Sequence, residues 1–382
     1  MANSHLNRYN DEHFISDDRF DSLPDPIVLL ILSNVLDSTS LARCLLVSCR
    51  FASLVPLVDS ISITVPSCSP CNIPKPRHSL IRSFLLELLC KLNLIRNTMK
   101  PITHCPVQLS SSTKPHNAIS RSKSSSPSSS IDVYEWISNQ IKNFERIRSV
   151  RLELPCHGVE FGHDQIPLIT WTAEFGSQLR SCVILGADSI TKLYQTSKSN
   201  QIETGSDDRS TIDLEDRPIS NETIKSRVLW IISSLLSASA RHSLISRVAT
   251  ECPDLEEAEV ADLSAQGTLK MTKDDFIELR RSISADTDTS MGVRSWERSC
   301  VPDVVIRMRY VEEAVELPAA GCVMRGATLM AVAPAEKGRG GEVAERLLTE
   351  CGEEGKGLLG EAARVMERMK GRKICKLEMN SF

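Results

Sequence analysis

Residues 21–62 constrain the fold most, because they read as three short helices in immediate succession, DSLPDPIVLLILSNVLDSTSLARCLLVSCRFASLVPLVDSIS. Leu23 and Pro24 form an extended lead-in. Asp25 is predicted to cap a helix whose first position is Pro26. Residues 37–40 break the helical spacing and supply caps for a second helix. A third helix over residues 49–55 is ended by a proline.

This helical unit carries more apolar side chains than a small core can bury. On the first helix, Ile27, Leu30, Ile31 and Val35 recur at helical spacing. A three-helix unit of this size is only marginally stable alone. Surplus apolar surface on such a unit therefore favours a protein partner.

A family resemblance rests on residues spread over this stretch: Leu23, Pro24, Ile27, Ile31, Val35, Leu41, Val47, Ser48, Arg50, Phe51 and Leu54. The candidate binding residues among them are Leu23, Pro24, Ile27, Ile31, Val47, Arg50 and Phe51. The Leu-Pro lead-in and the Val-Ser-x-Arg-Phe exit resemble the F-box family, with Cys49 where that family commonly has lysine. The resemblance implies that these residues bind a Skp-type adaptor, and through it a cullin, within a ubiquitin ligase. The residues alone leave an alternative, an ordinary three-helix core inside a larger domain.

Length and charge bound the rest of the protein. A chain of 382 residues exceeds one typical core, which favours two domains, and a net charge of −4 gives no basis for binding nucleic acid or an anionic membrane. The N-terminus is polar and acidic, unlike a signal or transit peptide. The apolar runs at 26–32 and 228–236 are shorter than the ~20 residues of a membrane span. We expect a soluble protein of the nucleus or cytoplasm.

The cysteines are interpreted as reduced, small apolar residues. Thirteen are present, an odd number, and several lie inside apolar segments, such as Cys44, Cys90 and Cys182. The C-x-x-C formed by Cys68 and Cys71 is followed by no second pair at zinc-site spacing. We therefore expect neither a metal nor a cofactor.

Changes in composition predict five regions along the chain. The N-terminal segment is expected to be disordered, and a segment ending in SRSKSSSPSSS is too polar to order. An amphipathic helix is predicted at residues 80–94. The regions are a disordered N-terminus (1–20), the F-box (21–62), a connector with the amphipathic helix (63–100), a serine-rich linker (101–131) and a substrate-recognition domain (132–382).

The last region alternates predicted helices and strands, which indicates an α/β or α+β fold. The longest helix begins at Asn221 and ends before Pro253, whereas residues 274–299 are only weakly patterned. Three segments, FERIRSVRLELP, QLRSCVILGAD and CPDLEEAEVADLS, resemble one another weakly. They leave two alternatives, a degenerate leucine-rich-repeat solenoid and an ordinary mixed α/β domain. Strands are expected at residues 150–154, 182–185, 255–263, 268–271, 304–311 and 327–333.

The family resemblance continues into this region. Its segments resemble the plant F-box subfamily that includes auxin up-regulated members. The resemblance implies a non-catalytic substrate receptor of an SCF-type ubiquitin ligase that binds an unknown protein substrate and is associated with auxin and cytokinin responses. The segments are residues 144–147, 171–184, 227–230, 240–242 and 377–382.

Two other functions stand as alternatives. Trp171 and Trp230 are candidates to line the pocket of a small-molecule-gated F-box receptor, although core positions are the favoured interpretation of both. Residues 328–348 place the glycine-rich turn KGRGG between a strand and a helix, faintly similar to the pyrophosphate loop of N-acetyltransferases. His242 is a candidate base, but no nucleophile spacing accompanies it, and a local hydrogen bond is favoured.

Overall fold

The structure of the protein is a computed structural model, and it describes a substantial part of the chain. Within that part, eight α-helices and two β-sheets are formed. The predicted helix at 80–94, the serine-rich linker and the Cys68–Cys71 pair lie outside it. The described residues are 20, 22–66, 133–155, 168–193, 219–263, 266–287, 300–369 and 371–381.

Three short helices open the described part, as predicted: α1 (Asp25–Ser33), α2 (Ser38–Cys44) and α3 (Cys49–Leu54), followed by a 3-10 turn (Val55–Leu57). Polar side chains start the second and third of them. The Asp37 carboxylate caps α2: hydrogen bonds from the Ser40 side chain and from the Ser40 backbone N–H, the latter at 2.8 Å, lower the pKa of Asp37. The Ser48 hydroxyl caps α3 in the same way.

The predicted cap at Asp25 is wrong. Pro24 occupies the N-cap position in an extended conformation, and no side chain caps α1. Asp25 is instead the first residue of the helix, and its carboxylate accepts from the Arg50 guanidinium at 2.8 Å. A charge-assisted bond to a guanidinium is stronger than a bond to a neutral backbone N–H, which accounts for the difference.

The remaining helices and strands follow in chain order. The helices are α4 (Val133–Ile141), α5 (Asn221–Glu251), α6 (Lys273–Thr287), α7 (Gly340–Glu354) and α8 (Gly357–Arg368). The strands are β1 (Ser60–Thr64), β2 (Ser149–Leu154), β3 (Leu168–Phe175), β4 (Leu179–Ala187), β5 (Ser189–Lys192), β6 (Glu257–Asp262), β7 (Gly267–Met271), β8 (Val304–Val311), β9 (Val315–Leu317), β10 (Cys322–Arg325), β11 (Ala327–Pro334) and β12 (Lys373–Met379).

Nine strands form one mixed sheet in the order β1-β2-β6-β7-β3-β4-β11-β8-β12. The first three are parallel, and β3 is also parallel to β7. The other neighbouring pairs are antiparallel: β6–β7, β3–β4, β4–β11, β11–β8 and β8–β12. The three remaining strands form a small antiparallel sheet in the order β5-β10-β9.

The helical segment is joined to this sheet without a break. β1 pairs with β2 from Ser60 to Thr64, so the predicted boundary at residue 62 falls inside a strand. Side chains of β1 alternate as a half-buried strand does, with Ile61 and Ile63 buried. One hydrophobic core cluster runs from Val28 and Leu41 in the helices to the sheet residues. The helical segment therefore packs as part of the α/β body.

The leucine-rich-repeat alternative is not what the sheet shows. Two of the three similar segments form β2 and β6, which are adjacent and parallel as in a solenoid. The third forms β4, which lies between antiparallel neighbours elsewhere in the sheet. A solenoid stacks each repeat only on its neighbours in the chain, whereas this order brings distant segments together. The mixed α/β alternative is the observed one.

The structure adds elements that the sequence did not predict. Residues 273–287 form α6, although this region is highly charged, because Phe276 and Leu279 face the core at helical spacing. The strands of the small sheet were also missed, since all three are only three or four residues long. Short strands carry too few alternations to be recognised.

Helix α5 passes a length and composition test for a membrane span among the described helices. The prediction from the run at 228–236 alone did not anticipate this. In the structure the helix packs against the sheet, and its buried residues include two arginines, Arg227 and Arg241. Both arginines pair with aspartates at the sheet, Asp188 and Asp262. Their burial with partners is the arrangement of a core helix.

Candidate adaptor-binding surface

Helix α1 has two faces in opposite surroundings. Val28 and Leu32 are 0% and 3% exposed and belong to the core cluster. Ile27, Leu30 and Ile31 are 45%, 61% and 42% exposed on the other side of the helix. We call these three residues the α1 apolar face. Isolated exposed apolar residues are ordinary, but three on one short helix face indicate a contact surface.

Arg50 fixes the segment that leads into α1. Its guanidinium donates to the Asp25 carboxylate at 2.8 Å, to the Phe20 carbonyl at 2.8 Å and to the Leu23 carbonyl. The side chain is 26% exposed and that of Asp25 is 65% exposed. Arg50 was predicted as an adaptor contact, and the structure gives it an intramolecular role in addition. It holds Leu23 and Pro24 in place from the start of α3.

The other predicted residues around this lead-in differ in exposure. Leu23 and Phe51 are half-buried and pack against the core cluster, whereas Pro24 is exposed. The ring of Phe51 meets that of Phe20 edge-on at 5.9 Å between centroids. The aromatic pair and the Arg50 hydrogen bonds both hold the lead-in segment. Together they fix the position of Pro24, because they contact residues before and after it.

The turn between α2 and α3 supplies a second exposed apolar site. Val47, which was predicted, is 68% exposed, and its neighbour Leu46, which was not, is 88% exposed. The turn is closed by backbone hydrogen bonds to Arg43 and Cys44. Leu30 was also missed as a site residue. Its position one helical turn after Ile27 and directly before Ile31 is the signal that would have included it.

The glycine-rich turn does not form an evident phosphate site. It connects β11 to α7 and borders an open cavity of about 340 Å³. The charged side chains that line the cavity are balanced, two basic and two acidic, and Lys376 pairs with Glu378 at 2.7 Å. A pyrophosphate cradle requires an excess of donors and positive charge. The geometry gives no support to the acetyltransferase alternative.

His242 makes a long-range hydrogen bond across the core, where the sequence favoured a local one. It is buried in α5, stacks on Phe175 at 4.8 Å, and its Nε2 donates to the Gly176 carbonyl at 2.9 Å. Burial lowers the pKa of His242 to about 4, so the ring is neutral at pH 7. A ring whose Nε2 is committed inside the core cannot serve as a base for a substrate.

The two tryptophans are core residues, which confirms the favoured interpretation. Trp171 and Trp230 are buried, and each lies under a guanidinium, that of Arg241 at 4.6 Å and that of Arg227 at 4.1 Å. Their ring faces are thus occupied by side chains of the protein itself. The small-molecule pocket proposed for them has no support in the geometry.

Most of the described cysteines are buried, as small apolar residues are. Cys182 is buried and unbridged, and burial raises the pKa of its thiol, so no thiolate forms at neutral pH. Within the described residues, no group of three or more histidine, cysteine or acidic side chains is arranged to hold a metal. What the described surface offers is apolar contact area.

Comparison with known proteins supplies the family. The chain is 33% identical to the F-box protein At4g18380 of Arabidopsis thaliana, over 96% of this chain and 94% of that protein. It is 34% identical to the F-box protein At5g46170, over 84% of each, and 32% identical to the F-box protein AUF2, over 96% of this chain and 100% of that protein, both from the same plant. This chain belongs to the plant F-box protein family. The resemblance predicted from its sequence is thereby confirmed.

Membership decides the class of activity. F-box proteins are non-catalytic ligase subunits, so this F-box protein is not an enzyme. No family model matches the chain, and no solved structure matches it. The assignment rests on full-length relatives, which cover both the helices and the sheet.

Proposed function

We propose that this F-box protein is the substrate-receptor subunit of an SCF-type cullin ubiquitin ligase. The α1 apolar face and the neighbouring turn bind a Skp-type adaptor, and through it the cullin. The α/β body binds a protein substrate. The observation that carries the proposal is the division of α1 into a buried face and an exposed apolar face.

The exposed face is costly to keep in water, and a partner removes that cost. Burying a large aliphatic side chain contributes roughly 1.5–3 kcal/mol. Interfaces depend on a few such anchors, and the loss of one costs about 2 kcal/mol or more. Leu30 is the most exposed of the three residues on the α1 apolar face, so it is the most informative to change.

The direct test compares two leucines of matched exposure. Leu30 is 61% exposed on α1, and Leu229 is 63% exposed on α5. Leu30→Asp is expected to abolish capture of a purified Skp-type adaptor, while Leu229→Asp retains it. Both variants should keep the melting temperature of the parent protein. Equal capture by the two variants would remove the α1 apolar face from the proposal.

The lead-in segment needs its own test, because its residues are partly structural. Leu23→Ala combined with Pro24→Ala is expected to release the adaptor. Since Leu23 is half-buried against the core, thermal melting must accompany the capture assay. Adaptor capture that survives the double change in a folded protein would show that the lead-in is not a contact.

The wider role belongs to the same proposal. The resemblance to auxin up-regulated F-box members supports a function in auxin and cytokinin responses, in the nucleus or the cytoplasm. A fluorescent fusion reports the compartment, and hormone-responsive transcripts in plants that lack the protein report the pathway. Unchanged responses to both hormones would limit the proposal to ligase assembly.

A further inference from the structure

The turn that follows α1 is closed around a residue in an uncommon backbone conformation. The backbone N–H of Asp37 donates to the Val35 carbonyl at 2.6 Å, which makes a three-residue γ-turn centred on Leu36. Leu36 has a φ of 56°, in the left-handed region. A γ-turn with a positive φ at its centre is rare and strained. The strain lies at the junction between α1 and the cap of α2.

Leucine is an unfavourable residue at the centre of such a turn. Its Cβ crowds the backbone at positive φ, whereas glycine has no Cβ and adopts this conformation freely. In the part of the chain that the structure describes, the other residues with positive φ are all glycines: Gly321, Gly326, Gly338 and Gly357. Backbone conformation therefore favours glycine at position 36, and the reason for a leucine lies in what its side chain contacts.

The surrounding structure holds the strained turn in place from both sides. The Leu36 carbonyl accepts from the backbone N–H of Ser62 in β1 at 2.7 Å, and Asp37 forms a parallel bridge with the same residue. The Asp37 carboxylate accepts from the backbone N–H of Ser40 at 2.8 Å. Strained conformations persist where neighbouring contacts over-determine them, and they cluster at functional sites. These contacts fix the backbone from which the Leu36 side chain projects.

The Leu36 side chain is not buried in the core of the protein itself. It is 45% exposed, whereas the core leucines of the flanking helices, Leu32 and Leu41, are 3% and 0% exposed. Two apolar residues that precede it are exposed to a similar extent, Ile31 at 42% and Val35 at 37%. Along the chain, the α1 apolar face therefore continues past the end of the helix and into the strained turn.

We infer that Leu36 is a contact for the Skp-type adaptor, and that leucine is retained at this position for its side chain although it strains the backbone. This inference rests on the proposed function. Membership of the F-box family implies an adaptor of this class, and the α1 apolar face proposed to bind it ends at the same turn. A side chain on a fixed backbone loses little conformational freedom on binding, which favours affinity.

The test compares two substitutions that remove the same side chain but differ in strain. Leu36→Ala keeps a Cβ at positive φ, whereas Leu36→Gly removes it. Both variants of the full chain should bind a purified Skp-type adaptor about tenfold more weakly than the parent, or worse, in calorimetric titration. Leu36→Gly should nevertheless melt about 2 °C above Leu36→Ala, because glycine relieves the strain. A residue with a purely structural role would change the melting temperature and leave the affinity as it is.

Two further variants are the controls. Leu36→Met keeps an apolar side chain of nearly the same volume, so its affinity for the adaptor should stay within about threefold of that of the parent. Leu229→Ala removes a leucine that is 63% exposed on α5, and it should leave the affinity unchanged. The parent chain and Leu30→Asp report on the proposed function itself. If they behave as proposed while the Leu36 variants bind like the parent, this inference alone fails.

Three other results would overturn the inference. Weaker binding by Leu36→Gly but not by Leu36→Ala would show that the adaptor requires a rigid turn rather than the leucine side chain. A melting temperature of Leu36→Gly at or below that of Leu36→Ala would show that no strain is relieved. A loss of affinity in Leu36→Met as large as that in Leu36→Ala would show that an apolar side chain at this position is not what the adaptor contacts.

Discussion

Arg227 is the largest fully buried side chain of the described residues, and its charge is compensated from three directions. Its guanidinium holds both oxygens of Asp188, at 2.7 and 2.8 Å, and donates to Thr328 Oγ1 and the Gly326 carbonyl, each at 2.9 Å. A cation placed inside a core is tolerated only when its donors are used. This residue ties the start of α5 to the corner between β4 and β5.

Arg227 and Asp188 differ in exposure, so removing one should cost more unfolding free energy than removing the other. Asp188→Ala leaves a buried cation without its carboxylate and is expected to cost about 3–5 kcal/mol of unfolding free energy. Arg227→Met should cost less, because the Asp188 side chain is 53% exposed and water can solvate it. Urea denaturation measures both losses of stability. Glu222→Ala, which breaks the exposed pair with Lys225, is the neutral control. A larger loss for Arg227→Met would contradict this account.

His242 predicts a dependence of stability on pH. Its pKa is about 4 in the folded protein, lowered by burial from its usual 6.5. Between these values the unfolded chain binds a proton that the folded protein excludes, so stability falls as pH drops from about 6.5 to about 4. The slope is up to about 1.4 kcal/mol per pH unit. His242→Phe removes this titration, so the unfolding free energy of the variant should change less with pH over this range. Identical pH profiles for the two proteins would contradict the prediction.

At the scale of elements, α1 is positioned by α3. The connection is the Asp25–Arg50 pair together with the bonds from Arg50 to the backbone of the lead-in. The sequence separates these residues by 25 positions. Helical spacing explains which face of each helix is apolar, but it does not reveal a contact between one helix and the start of another.

This arrangement predicts that the two partners act as a unit. Asp25→Ala and Arg50→Ala should each weaken adaptor affinity by roughly 1 kcal/mol, and the double variant should be no worse than either. Calorimetric titration with the adaptor measures all three. If Arg50 instead contacts the adaptor alone, Asp25→Ala will leave the affinity unchanged.

Helix α6 shows how a charged segment can be fixed by few residues. The Asp275 carboxylate accepts from the N–H and the hydroxyl of Thr272, both at 2.8 Å, which starts the helix. Glu278 then binds Ser177 in the β3–β4 turn and Arg180 in β4. Burial opposes ionisation of Glu278, but these donors outweigh it and lower its pKa to about 2. Most of the helix surface is polar, so the sequence pattern did not reveal its two buried apolar residues, Phe276 and Leu279.

At the scale of the whole molecule, the F-box segment is also a structural part of the sheet. Val55, Val58, Ile61 and Ile63 are at most 2% exposed, and β1 completes the pairing of β2. Each such side chain contributes roughly 1.5–3 kcal/mol when buried. Together they are comparable with the about 5–15 kcal/mol that stabilise a typical domain.

Removal of residues 1–62 is therefore expected to unfold or aggregate the remainder, because it opens the β2 edge and part of the core. Size-exclusion chromatography and thermal melting of the truncated chain measure this. Leu30→Asp in the full chain is the matched control, since it targets the adaptor surface without touching β1. A monomeric truncated protein that melts cooperatively at the parent temperature would refute the prediction.

The sequence by itself determined the local elements of this protein and its family. The cap at Asp37, the apolar spacing in α1, the alternation in β6 and β8 and the apolar run of β11 are properties of neighbouring residues, and they were readable for that reason. The tertiary structure alone decided what depends on distant pairings. It joined β1 to the α/β body, placed β4 among antiparallel neighbours, turned Arg50 towards Asp25 and left β12 at an edge. These outcomes follow from burial and hydrogen bonding between segments far apart in the chain, which local patterns do not encode.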